Sequence, residues 1–183
     1  TALATTKAHP IARLQRLLAV GDVVTTATTP RGVLHTIDKD DVVSASRIIF
    51  PIGYEPRCIY TSSNRFWIGL ENKIGGNAKI IEWDGTSLTY NNEYDIVGAI
   101  PMCGWIQQNI PHFVSNTGHI YRYTGNGFSV EQQFPITEDL ATFLGNDIRP
   151  YGVAVDRHLV YILANHKETD IDTAKRFRSG IWC

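Results

Sequence analysis

"PRCIYTSSNRFWIGL", residues 56–70, is echoed by "PMCGWIQQNIPHFVS" at 101–115 and "PYGVAVDRHLVYIL" at 150–163. Each phrase opens on Pro, runs through a short apolar stretch, crosses polar residues and ends in a second apolar stretch. Pro56 and Pro101 are 45 residues apart, and Pro101 and Pro150 are 49 apart. A second phrase keeps its own step. In "IIEWDGTSL", Trp83 and Gly85 stand where "IYRYTGNGF" has Tyr123 and Gly125, and "LHTIDKDDV" puts Ile37 in the slot of Trp83. Phe50-Pro51 and Phe134-Pro135 each close a unit, with Tyr94-Asp95-Ile96 between them. Two phrases recurring in one order mark a structural repeat, which outranks local propensity as a clue to fold.

Within the second unit the apolar runs are Cys58–Thr61, Phe66–Leu70, Lys79–Trp83 and Leu88–Ile96. The breaks "SSNR", "ENKIGGN" and "DGTS" carry the Asn, Asp, Gly and Ser that turns require. Asp84-Gly85 and Gly125-Asn126-Gly127 suit tight hairpins, because Gly adopts left-handed backbone without a Cβ clash. Four antiparallel strands per 40–50 residues is the period of a β-propeller blade. The rival all-β fold, a sandwich, has no need to repeat a phrase. The expected fold is therefore all-β, a partial propeller of about three to four four-stranded blades. Its first blade lacks a clear opening strand, and its last stops inside the third strand, where Ile181 aligns with Ile120. The remaining blades are expected from sequence not included here.

The first thirty residues are expected to form a separate segment, with the blades spanning 31–183. In "KAHPIARLQRLLAVGD", Ile11, Leu14, Leu17 and Leu18 fall on one face of a short helix. Pro10 before it and Gly21 after it fit helix punctuation. The Thr-rich "VVTTATTP" then reads as a linker or an edge strand.

Composition narrows the function. The 183 residues are 43% hydrophobic and 19% charged, with a formal net charge of −1. That balance gives no global attraction to nucleic acid or anionic lipid. No apolar run approaches the roughly 18 residues of a membrane span. Cys58 and Cys103 share one slot in the repeat, and their odd companion is Cys183. Without a CxxC pair they read as small buried hydrophobes, unbridged, rather than as a metal or disulfide framework. None of the six histidines forms a close ligand pair, and no nucleophile elbow, phosphate loop or HExxH is present. Asp170-x-Asp172 resembles a calcium loop but lacks its Gly and distal Glu. Neither catalytic residues nor a cofactor or metal is expected.

The repeat instead locates insertions. Unit three joins its second and third strands with "SNTG", whereas unit four uses Asn165 to Ser179; Thr137 to Arg149 forms a long crossover between units. Both fall on the same rim of a propeller, and long loops on rigid scaffolds often carry binding. In "TEDLATFLGND", Thr137 as cap, Gly145 as stop and an apolar side of Leu140, Phe143 and Leu144 suggest a short helix. The other insertion ends in a basic cluster, Lys175, Arg176 and Arg178, around Phe177. Leu140, Phe143, Lys175, Arg176, Phe177 and Arg178 are the candidate partner contacts.

The phrases "RFWIGLENKIGGNAKIIEWDG" and "FVSNTGHIYRYTGNGF" resemble propeller repeats in structural proteins of tailed-phage virions, such as nozzle, hub or fibre-associated components. The resemblance covers roughly residues 33–183. It implies a virion location and a non-enzymatic structural role, with other subunits, including further copies of the chain, as partners. The alternative is a carbohydrate-binding or carbohydrate-hydrolysing propeller, with Trp67, Trp83, Trp105 and Tyr123 stacking on sugars. Against stacking stands the use of the same aromatics as core.

Overall fold

The computed structural model describes residues 10–14, 17–26, 29–37, 48–62, 64–87, 89–133, 148–156, 159–168 and 176–182. Their regular structure is all β, in four sheets taken in chain order. The first sheet is β1 (Ile11–Leu14), β2 (Leu17–Thr26), β3 (Thr29–Ile37) and β4 (Ile48–Ile52). The second is β5 (Tyr54–Thr61), β6 (Phe66–Asn72), β7 (Ala78–Trp83) and β8 (Asn92–Ile96). The third is β9 (Pro101–Gln107), β10 (Ile110–Ser115), β11 (His119–Tyr123) and β12 (Phe128–Gln133). The fourth holds β13 (Ile148–Asp156), β14 (Leu159–Glu168) and β15 (Arg176–Trp182). Within each sheet every strand pairs with its neighbour in sequence, so each sheet is a simple meander.

The expected N-terminal helix is not what forms. β1 and β2 are an antiparallel hairpin, with register from Ile11↔Val20 to Leu14↔Leu17, and β2 continues along β3 from Leu18↔Ile37 to Thr26↔Thr29. The Leu and Ile spacing fits a helix face, but pairing with β3 wins, because propensity yields to tertiary context. β1 is the opening strand that the first unit had been missing. Pro10 stands 46 residues before Pro56, so the Pro-led phrase occurs four times, not three.

A packing contact explains the proline. Pro56, which opens the second unit, lies over Gly21 of β2: a β-carbon on Gly21 would sit 2.9 Å from Pro56 Cγ. Pro101 lies over Gly69 of β6 in the same way, 2.8 Å from such a β-carbon, with Cys58 Sγ at 2.6 Å. Both distances are below normal carbon contact, so any side chain there must displace backbone-anchored neighbours. The opening proline of one unit therefore seats on a side-chain-free spot of the preceding sheet.

The chain divides into two compact units, Thr1–Pro101 and Met102–Cys183. In the first, the first two sheets share a core. Ala19, Leu34, Ile48 and Phe50 meet Ile59, Phe66, Ile68, Leu70, Ile81 and Trp83. Phe66 and Trp83 stack at 5.5 Å between ring centroids. In the second, Cys103, Trp105 and Val114 of the third sheet cluster with Ile162 of the fourth. Cys58 and Cys103 sit on the opening strands β5 and β9, and both are buried free thiols. Burial pushes the Cys58 thiol up to about 12, with only a weak opposing pull from the Gly69 backbone, so it is a protonated core residue.

The turns follow the same logic. Gly85 (φ 86°) and Gly125 (φ 97°) occupy matching turns between third and fourth strands. The last aromatic of each third strand folds over its turn: Trp83 Nε1 donates to the Ser87 carbonyl (2.8 Å) and Tyr123 OH to the Gly125 carbonyl (2.6 Å). Asp84 accepts from the Ser87 and Thr86 amides, each at 2.8 Å, which holds its carboxyl far below the usual range.

Candidate functional site

The residues singled out by sequence are not brought together. Leu140, Phe143 and Lys175 lie outside the described residues. Arg176, Phe177 and Arg178 belong to β15, and the expected loop from Asn165 to Ser179 is largely a hairpin. Its register runs from Asn165↔Ser179 to Glu168↔Arg176. The pairing sets an acidic position opposite a basic one, the kind of cross-strand pair that favours extending a sheet. A mixed-charge stretch read as a loop is thus a continuation of two strands. Trp67, Trp83 and Trp105 are 5%, 1% and 6% exposed, so their rings are core and are withdrawn from any stacking ligand.

The site that does form is a groove of about 600 Å³ on the third sheet, bounded by Asn109, Pro111, Arg122, Tyr123, Ser129 and Glu131. Its position follows from register. His112 of β10 pairs with Arg122 of β11, and Arg122 pairs with Ser129 of β12, so the three share one face of the sheet. The β11–β12 register shifts between Ile120 and Tyr121, leaving Glu131 as the extra residue of a bulge. Bulges re-aim side chains at sheet edges, and this one sets Glu131 beside His112 and Arg122. One end of the groove is the two-residue turn Gln108-Asn109, with φ of 51° and 64°, the left-handed pair of a tight hairpin.

Under the groove His112 is buried, stacked on Trp105 with centroids 5.4 Å apart. Its Nδ1 lies 2.9 Å from the Ile110 carbonyl, which can only accept, so Nδ1 carries the hydrogen. Burial holds the His112 pKa below its usual value, outweighing the Ile110 carbonyl and Glu131. The neutral ring then turns its Nε2 lone pair toward Glu131 Oε2 at 3.3 Å. Two acceptors make no hydrogen bond, so this contact leaves the carboxylate's acceptor capacity unfilled. Arg122 Nη1 approaches Glu131 Oε1 at 3.8 Å, a loose ion pair between two exposed groups.

One polar chain near the groove has the look of a catalytic relay. Ser115 Oγ lies 2.8 Å from Thr117 Oγ1, which lies 2.9 Å from His119 Nδ1. Ser115 is fully buried, however, and its Oγ accepts from the Thr117 and His119 amides. It locks the β10–β11 turn. Among the described residues, no group of three or more His, Cys, Asp or Glu is placed to hold a metal ion.

No residue of the groove stood out in the sequence. The available signal was the alignment itself, which puts His112 in the slot of Trp67 and Arg122 in the slot of Glu82. A buried aromatic exchanged for an ionisable ring, beside a reversed charge, marks the unit where the repeat departs from itself.

No family model matches this chain. No curated protein matches it either. Among solved structures it is similar to the computationally designed Ika8 protein, at 12% sequence identity and a TM-score of 0.44. The match covers 95% of this chain, which spans 62% of the length of that one.

Proposed function

We propose that this chain is a non-enzymatic structural module, built of propeller-type blades, that joins neighbouring subunits in a large assembly of the tailed-phage virion kind. The observation that carries the reading is the repeated seat of an opening proline on a glycine of the sheet before it, Pro56 on Gly21 and Pro101 on Gly69. A contact that recurs between successive units propagates a rigid array, in which each unit is stabilised by its neighbours. The interiors support the same reading, since the large aromatics Phe50, Phe66, Trp83 and Phe113 are fully buried and serve packing. The rim hairpin β14–β15 is the proposed contact between subunits, with Arg176, Phe177 and Arg178 on its last strand; Arg and aromatic residues are frequent interface anchors.

The test is assembly size, measured by light scattering and electron microscopy on the chain within its parent protein. A closed multi-subunit particle that dissociates when Arg176 and Phe177 are both changed to Ser supports the proposal. A monomer at every concentration, or a particle indifferent to those changes, overturns it.

A further inference from the structure

The second and third sheets carry the same polar position in different states. In the second, Glu82 is saturated by its own sheet. Arg65 Nε donates to one oxygen (3.1 Å), and Asn92 Nδ2 (2.7 Å) and Tyr94 OH (3.3 Å) donate to the other. In the third, Arg122 takes the slot of Glu82, and its acidic partner Glu131 is reached at 3.8 Å by Arg122 and faced by a lone pair of His112. Where the second sheet closes its polar cluster, the third leaves a groove.

From this contrast we infer that the groove of the third sheet is a binding site for a neutral saccharide unit, held between Arg122, Glu131 and Asn109 against the ring of Tyr123. The inference is independent of the assembly role proposed above and uses different residues. Charge selects the ligand class. Arg122 and Glu131 balance each other, so a cation or an anion gains from one and is opposed by the other. A polyhydroxylated neutral ligand satisfies both, donating hydroxyls to the carboxylate while accepting from the guanidinium. Asn109 and Ser129 add further donors and acceptors at the rim, and Pro111 and Tyr123 supply apolar surface for the C–H face of a sugar ring. The volume falls within the roughly 300–1,000 Å³ of small-ligand clefts.

The site is also built in advance. Tyr123 is fixed by its bond to the Gly125 carbonyl and by Phe128 at 5.4 Å. Asn109 is set by its turn, and Glu131 by the bulge. Little side-chain freedom remains to be lost on binding, which favours affinity from few contacts.

The experiment is amide and side-chain NMR of the full chain, titrated separately with galactose, mannose, N-acetylglucosamine and maltose, and with inorganic phosphate. The expected result is saturable shifts at Asn109, Thr124, Gly125 and the Arg122 guanidinium with at least one sugar and none with phosphate. Arg122→Ala should weaken binding about ten- to a hundredfold, as for loss of a charge-assisted hydrogen bond. Asn109→Gly keeps the left-handed turn and removes only the amide, so it should weaken binding while the protein melts normally. Glu82→Gln, at the closed position of the second sheet, should leave binding unchanged. Saturation by phosphate instead of sugar, sugar binding insensitive to both groove variants, or saturation by none of the probes overturns the inference.

Discussion

Set the second sheet beside the third and the same frame holds two different fillings. Both open on a proline, carry a buried free cysteine two residues later, and turn on a left-handed glycine after the third strand. Tyr60 and Trp105 share one slot 45 residues apart, and each buries a polar atom with no hydrogen-bond partner among the described residues. Beyond the backbone the two diverge. The second sheet places Phe66, Ile68, Leu70, Ile81 and Trp83 in a core that excludes water almost fully. The third stacks Phe113 on Tyr121 at 4.6 Å, and its Tyr123 is only half-buried. The lesson is that backbone repetition is set by few residues, the proline, its glycine seat and the turn, while the faces between them are left to specialise.

The largest expected effect probes that divergence. Trp83 is 1% exposed and central to its core. Trp83→Ala should cost about 3–5 kcal/mol, as for deletion of a buried large aromatic. Tyr123→Ala, at the same repeat position, removes a partly exposed ring and should cost clearly less. Chemical denaturation of both variants checks the difference; equal losses would mean that the two sheets are packed alike.

Next in size is the proline seat. Gly69→Ala pushes a methyl into Cys58 Sγ and Pro101 Cβ and should destabilise by about 1–3 kcal/mol. Gly127→Ala is the matched control, because a β-carbon there meets nothing within 4 Å. Its effect should stay within about 0.5 kcal/mol. A harmless Gly69→Ala would remove the packing reason for the repeated proline.

The smallest effect is a pH dependence specific to the third sheet. Burial keeps His112 harder to protonate in the folded protein than in the unfolded chain. As pH falls through the ordinary histidine range, near 6.5, the unfolded chain takes up the proton first, so stability declines toward acid. His112→Phe, which restores an aromatic as in the second sheet, should flatten the melting temperature between pH 7 and pH 5. An unchanged slope would place the titration elsewhere.

Much of this was legible in advance, for identifiable reasons. β6, β7 and β8 were bounded by turns rich in Gly, Asn and Asp, and glycine at Gly85 and Gly125 reports directly on a left-handed backbone. β1 and β2 were not legible locally. Leu14 pairs with Leu17 across two residues, Gln15 and Arg16, that carry none of the usual hairpin chemistry. The apolar spacing around them matches a helix equally well. Only the step from Pro10 to Pro56 told against a helix, and it is a long-range signal. The groove was hidden for another reason: a bulge moves Glu131 out of simple alternation, and alternation is all that a strand sequence offers.

The central claim is that one Pro-led unit occurs four times, beginning at Pro10, and the N-terminal hairpin is where that claim and the helical reading part. Nuclear Overhauser contacts across residues 10–26 decide between them. The account expects cross-strand contacts joining Ala12 to Ala19 and Arg13 to Leu18, with the Gly21 amide protected by its bond to the Pro10 carbonyl at 2.9 Å. A ladder of sequential amide contacts with i to i+3 contacts from Ile11 to Leu18 would contradict it.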